Sequence, residues 1–154
     1  MELKSTLKVF NEADLPSVPA AVEGQTRKLL AGSAEHSSER MRVSLVSVKT
    51  GTVEHLHWHL VEAFHYVISG RAIMRDIEGK TYNIGPGSVI YAPPGIVGSH
   101  EWEIEEEMQL IAVRATTDPE RNLQFTVDDS TKESKIELDQ LVARGVANFR
   151  KSLY

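Results

Sequence analysis

The chain has 154 residues, 41% hydrophobic and 25% charged, which fits one soluble globular domain long enough to bury a core. A formal net charge of -5 without a basic block speaks against nucleic-acid binding. With no cysteine, disulfides, cysteine nucleophiles and thiolate metal sites are excluded, so any metal must be held by nitrogen and oxygen. No stretch is long and apolar enough to span a bilayer, the first residues lack a cleavable signal pattern, and the expected compartment is the cytoplasm.

Residues 1–24, with Pro16, Pro19 and Gly24, read as an irregular N-terminal arm able to pack on the domain. "TRKLLAG" (26–32) predicts a short strand, and "SAEHSSE" (33–39) a polar loop with His36 solvated on its surface. "RMRVSLVSVKTG" (40–51) alternates, is rich in valine, and reads as a strand ending at Gly51. "VEHLHWH" (53–59), "EAFHYVISG" (62–70), "RAIMRDI" (71–77), "KTYNI" (80–84) and "SVIYAP" (88–93) follow as strands, and "SHEWEIEEEMQLIAVRAT" (99–116) carries one or two more. Turns at Glu78-Gly79, "GPG" (85–87) and "PG" (94–95) separate them. Short strands at this spacing argue for an all-β antiparallel sandwich or barrel. The tail differs: in "SKIELDQLVARGVANFRKSLY" (134–154) the apolar residues fall at helical spacing. Ser134 is the candidate N-cap, so residues 131–154 read as a C-terminal amphipathic helix.

Four of the six histidines lie in "HLHWHLVEAFH" (55–65). In a strand, alternate side chains share a face, so His55, His57 and His59 are expected to point one way. Imidazoles crowded on one face indicate a metal, an acid/base site, or an unusual hydrogen-bonded core.

Gly51, five residues, His57-x-His59 and then Gly70, followed by "PGSVIYAPPG" and a histidine, resemble the two conserved motifs of the cupin superfamily. The likeness covers roughly residues 40–115 and implies a cupin jelly-roll β-barrel, placed here at residues 25–130 between the arm and the helix. Many cupins hold one divalent metal with three histidines and a glutamate. The family includes dioxygenases, decarboxylases, isomerases and lyases, and also proteins that only bind sugars or small acids.

Two departures from the family pattern stand out. Its glutamate, counted back from Gly70, falls on Ala63, whereas Glu62 lies one residue earlier, on the other face of a regular strand. A bulge would be needed to aim Glu62 inward, while His65 shares the face of Ala63 without one. In the second motif Gly98 stands where the histidine belongs, and His100 follows two residues later, on the same face as Trp102 and Ile104 and opposite Glu101, Glu103 and Glu105.

Carried onto this chain, the resemblance assigns a divalent metal (iron, manganese, nickel, zinc or copper) to His57, His59 and His100. His65 or Glu62 would complete the shell or serve as the catalytic base, with His55 one step further out. Neutral imidazoles alone leave the metal charge uncompensated and favour a small anionic or carbonyl molecule as ligand. The implied function is a metal-dependent enzyme acting on a small oxygenated acid or carbonyl compound, of dioxygenase, lyase or isomerase type. The alternative is a non-catalytic small-molecule-binding cupin with a degenerate metal site.

Several other residues have weaker assignments. Arg42, Arg71 and Arg75 are candidate forks for a substrate carboxylate, or solvated surface residues. Tyr82 and Tyr91 are rim or strand residues unless they face the pocket, and "EWEIEEE" (101–107) is a charged outer face that protects an edge. Trp58, Phe64, Tyr66 and Ile68 point away from the histidines. Such an outer apolar side needs cover by the arm, by the C-terminal helix, or by a second copy, and a homodimer is expected.

Overall fold

The computed structural model describes residues 1–118 and 121–136. The alternating, β-branched stretches between the glycine and proline turns form strands, as short-range rules dictate. In chain order they are β1 (Val18–Pro19), β2 (Gln25–Ala31), β3 (Arg42–Val48), β4 (Val53–His59), β5 (Ala63–Asp76), β6 (Thr81–Ile84), β7 (Val89–Ala92), β8 (His100–Arg114), β9 (Gln124–Val127) and β10 (Ser134–Ile136). Among the described residues the only helical segments are two short 3₁₀ turns, Glu12–Asp14 and Ile96–Gly98.

The strands make one antiparallel sheet that curls into a half-barrel. Its spine is β5 paired with β8 along almost the full length of both. The other edge of β8 is shared: β3 borders Met108–Arg114, and β4 borders His100–Glu103. β2 and β1 extend the first side, while β9 and β10 extend the second. β6 and β7 lie along β5. The concave side is filled by Val48, Val67, Met74, Trp102, Ile104, Met108 and Leu110, and the histidines stand above them.

Three features depart from the sequence expectation. The two stretches on either side of Gly70 form one strand, broken only by register shifts between Val67 and Ala72. Gly70 sits at φ 87°, and a Cβ there would strike the Glu107 carbonyl, so the strand continues only because this residue has no side chain. The shifts exchange the two faces: Ala63, His65 and Val67 are buried before them, Ala72 and Met74 after. Second, β9 and β10 were not anticipated. The expected helix is corrected at its start, because Ser134–Ile136 pair with β9 as a strand and the Ser134 hydroxyl accepts the Trp58 indole N–H at 2.8 Å. The rest of that segment, 137–154, lies outside the described residues. Third, His36 is half-buried rather than solvated, stacked on Phe10 with ring centroids 3.9 Å apart.

The arm is irregular as expected, yet β1 joins the sheet and Glu12 pairs with Lys28 at 2.6 Å. No helix among the described residues is long and apolar enough to cross a membrane.

Candidate metal centre

The local fold decides which histidines meet. The pairing of β4 with β8 slips between Glu54 and His57. This irregularity breaks the alternation that the sequence suggests. His55 turns outward, exposed and 3.8 Å from the Glu101 carboxylate, while Glu54 turns inward with His57. Beyond the slip, His57 lies directly opposite His100 across the two strands.

His57, His59, His65 and His100 are 2%, 3%, 5% and 4% exposed, which makes them interior groups. One ring nitrogen from each of His57, His59 and His100 falls within 4.8 Å of the other two, so these three could hold a metal ion. Two of the rings are already oriented by the backbone. His57 Nδ1 lies 2.7 Å from the His55 carbonyl oxygen, and His100 Nδ1 lies 2.9 Å from that of Gly98. A carbonyl accepts only, so each Nδ1 carries the proton and each Nε2 keeps its lone pair. His100 Nε2 is buried and makes no hydrogen bond. An imidazole fixed through Nδ1, with an unsatisfied Nε2 facing other imidazoles, fits a nitrogen-bound divalent ion.

Gly98 explains the displaced second motif. A Cβ at this position would strike the Pro93 carbonyl, so no histidine can stand there. The ligand position passes to His100, the first residue of β8, and the Gly98 carbonyl orients its ring.

His65 stands beside the three without joining them, its ring centroid 5.9 Å from that of His100. The Arg114 guanidinium bridges it to the cluster, with Nη1 3.3 Å from His65 Nε2 and Nη2 3.2 Å from His59 Nε2. Since arginine only donates, both Nε2 atoms accept. Burial, then the Arg114 charge, hold the His59 and His65 imidazoles well below their ordinary pKa of 6.5. Burial, then the charge of His57, push His100 down to about 3. These three rings are therefore neutral at neutral pH, as metal ligation requires.

Glu62 is corrected. It is exposed outside the cavity and accepts the Tyr91 hydroxyl at 2.7 Å, because no bulge precedes β5 to turn it inward. The carboxylate that does face the histidines is Glu54. Its Oε1 lies 3.6 Å from His57 Nε2, and its oxygens accept amide N–H groups of Gln124 at 3.0 Å and Gln25 at 2.8 Å. The register slip hid Glu54 from sequence reasoning. Arg114 was legible: it continues the even-numbered inward row of His100, Trp102, Ile104, Met108, Leu110 and Ala112 on β8. Of the three arginines singled out from sequence, only Arg42 lines the cavity. Arg71 pairs with Glu106 at 3.1 Å, and Arg75 with Glu101 at 3.3 Å and Asp129 at 3.2 Å, on the outer surface. Tyr82 likewise stays outside, donating its hydroxyl to Asp76 at 2.8 Å.

The cavity has a volume of about 90 Å³ and reaches the cluster at His59 and His65. Its floor is apolar, with Trp102, Ile104 and Leu110, and its walls carry the polar groups just described. Buried imidazoles, one carboxylate and a guanidinium around a small concave space can bind and polarise a small molecule.

Residues 44–114 match the cupin domain family. The curled antiparallel sheet around this stretch is similar to the fold of solved cupins. It is 27% identical over 108 residues to an uncharacterized protein of Streptomyces coelicolor, covering 70% of this chain and 94% of that one. The fold is similar to that of the polyketide cyclase RemF from Streptomyces resistomycificus, with a TM-score of 0.62 at 19% identity, covering 71% of this chain and 79% of that one. It is similar to a sugar phosphate isomerase of the cupin superfamily from Silicibacter pomeroyi, with a TM-score of 0.62 at 19% identity over 84% and 93% of the two chains. A RmlC-like cupin from Shewanella frigidimarina gives 0.58 at 15% identity over 75% and 94%.

Proposed function

We propose that the protein is a metal-dependent cupin enzyme acting on a small oxygenated acid or carbonyl compound. His57, His59 and His100 would hold the ion, and Glu54, beside His57 but outside that group, supplies a carboxylate next to it. The observation that carries this reading is the buried, hydrogen-bond-free Nε2 of His100, aimed at a cluster whose ring nitrogens lie within 4.8 Å of one another. A divalent ion at this position supplies Lewis acidity towards a bound oxygen.

The chain's own groups do the rest. Gln25 and Gln124 fix the Glu54 carboxylate, which retains lone pairs to accept a proton from a bound acid or carbonyl compound. His65 is a poorer base as it stands, because Arg114 donates to its Nε2. Trp102 closes the floor beside His65 and His100, with ring centroids 5.6 and 6.3 Å away, and keeps water from the inner side. The similar folds include a polyketide cyclase and a sugar phosphate isomerase, which supports an oxygenated small molecule as the substrate class.

The second reading, a non-catalytic binding cupin, is favoured by one contact: Arg114 already donates to His59 Nε2, one of the two ring nitrogens that His59 could offer an ion. Elemental analysis of protein purified without an affinity tag separates the two. The enzyme reading expects near-stoichiometric metal in the wild type and less than about a tenth of it in His57→Ala and His100→Ala, the loss that removing an essential ligand brings. Metal-free wild-type protein whose melting temperature ignores added zinc, manganese and iron would leave the binding module.

A further inference from the structure

The sheet has an apolar outer face and the chain has an apolar arm, and one copy leaves both uncovered. We propose that two copies cover them by exchanging arms: the first residues of each chain, Leu3 to Val9, lie across the β5–β7 face of its partner.

Residues 1–11 join no strand or helix. In an extended chain they would nevertheless alternate, with Leu3, Ser5, Leu7 and Val9 on one row and Lys4, Thr6 and Lys8 on the other. Such alternation suits a segment with one dry side and one wet side. Here the dry side has nothing on it: Leu3, Leu7 and Val9 are each more than four-fifths exposed. The face is the matching surface. Phe64, Tyr66 and Ile68 of β5 and Val89 and Tyr91 of β7 are two- to three-fifths exposed, and the pairing of β5 with β7 makes them contiguous.

Area favours an arm on a face over a face on a face. At about 200 Å² for a large extended residue, the five face residues offer roughly 500 Å² and the three arm residues about as much. Two faces pressed together would bury about 1,000 Å² in all, short of the roughly 1,200–2,000 Å² of a stable specific interface. Two arms on two faces bury about twice as much, which lies within that range.

The arm is tied down on the far side of the sheet from this face. Glu12 pairs with Lys28 of β2, Phe10 stacks on His36, and β3 and β8 run between β2 and β5. Nine extended residues reach about 30 Å, more than the width from β2 to β7 at about 4.8 Å per strand. The arm is thus long enough to reach its own face, and the single chain still leaves both open. Lys4 and Lys8 also make the arm a basic segment of a chain with a formal net charge of -5, and Glu62 stands at the rim of the face, bound to the Tyr91 hydroxyl. A second copy therefore offers the arm an apolar floor with a carboxylate beside it.

Light scattering on the full chain tests the contact. The wild type is expected at twice the chain mass at micromolar concentration. The double variant Leu3→Ser with Leu7→Ser should dissociate at least about a hundredfold more readily, because each apolar side chain is lost twice in a symmetric pair. Its circular dichroism should match the wild type, since neither side chain is buried in the single chain. Thr6→Asn, on the other row, should leave the dimer as tight as before. Cross-linking tests the exchange. The chain has no cysteine, so Leu7→Cys with Val89→Cys introduces the only two thiols. A short bis-maleimide is expected to join them into covalent dimers. Cross-links confined to single chains would put the arm on its own face and overturn the exchange. The absence of any cross-link, a purely monomeric wild type, or a double serine variant that dimerises as tightly as the wild type would overturn it equally.

Discussion

Three residues account for most of the site's chemistry: Glu54, His100 and Arg114. Glu54 brings a negative charge to a cluster of neutral imidazoles, 3.6 Å from His57. His100 owes its orientation to the Gly98 carbonyl, a backbone group that no side-chain change can remove. Arg114 donates to His59 Nε2 and sets a positive charge beside the cluster, which opposes any ion held there. Replacing it should therefore favour metal. Arg114→Gln is expected to tighten zinc binding by about ten- to a hundredfold, the worth of a hydrogen bond to a charged group, as read by competition with a chromogenic chelator. Weaker binding in that variant would mean that the arginine supports the ligands rather than rivals an ion. The neutral state of the rings also makes a pH prediction for metal-free protein. His59, His65 and His100 have folded pKa values below the unfolded value of about 6.5, so the unfolded chain takes up protons that the fold excludes. Their contribution to stability is complete above pH 6.5 and is lost as pH falls below it, at about 1.4 kcal/mol per pH unit for each ring. Urea midpoints should be flat from pH 8 to about 7 and drop steeply by about 5.5; a midpoint insensitive to pH in that window would show that the rings are not buried neutral.

At the scale of the element, irregularities in two strands place the site. The slip in β4 moves Glu54 inside and His55 outside. The register shifts around Gly70 in β5 exchange the buried face, which sends Arg71 and Arg75 to the surface while leaving His65 inside. Gly70 is the point most sensitive to change. Gly70→Ala combines a positive φ with a collision against β8 backbone, and should cost at least about 2 kcal/mol in urea unfolding. By contrast, Gly79 also has positive φ but meets nothing within 4 Å, so Gly79→Ala should cost the conformational term alone, about 1 kcal/mol. β9 adds support from the other side of β4: Phe125 stacks on Trp58 at 4.2 Å and Gln124 holds Glu54. The expectation that Trp58 would need cover is met by this strand together with Ser134 of β10.

For the whole molecule, the outer face of β5 and β7 remains open to the surroundings. Phe64, Tyr66, Ile68, Val89 and Tyr91 are all exposed, and Phe64 and Tyr66 are register partners of Tyr91 and Val89. Contiguous apolar surface of this kind marks a contact region. A second copy of the chain remains the proposed occupant. Light scattering at micromolar concentration should then give twice the chain mass, and Tyr66→Glu should return it to the monomer with an unchanged metal content. A wild-type protein that is purely monomeric would remove the dimer.

The sequence by itself determined the class of fold, most strand positions and the convergence of His57, His59 and His100. These follow from local pattern: alternation sets a face, turns set strand ends, and a two-residue displacement from Gly98 to His100 keeps the face. It could not place Glu54 or His55, because one slipped residue reverses every face beyond it, and a slip is set by the partner strand rather than by the strand's own residues. Nor could it bring Arg27, Arg42 and Arg114 to one cavity. They belong to three strands whose adjacency depends on β8 pairing back against β3, a contact between segments far apart in the chain that only tertiary structure creates.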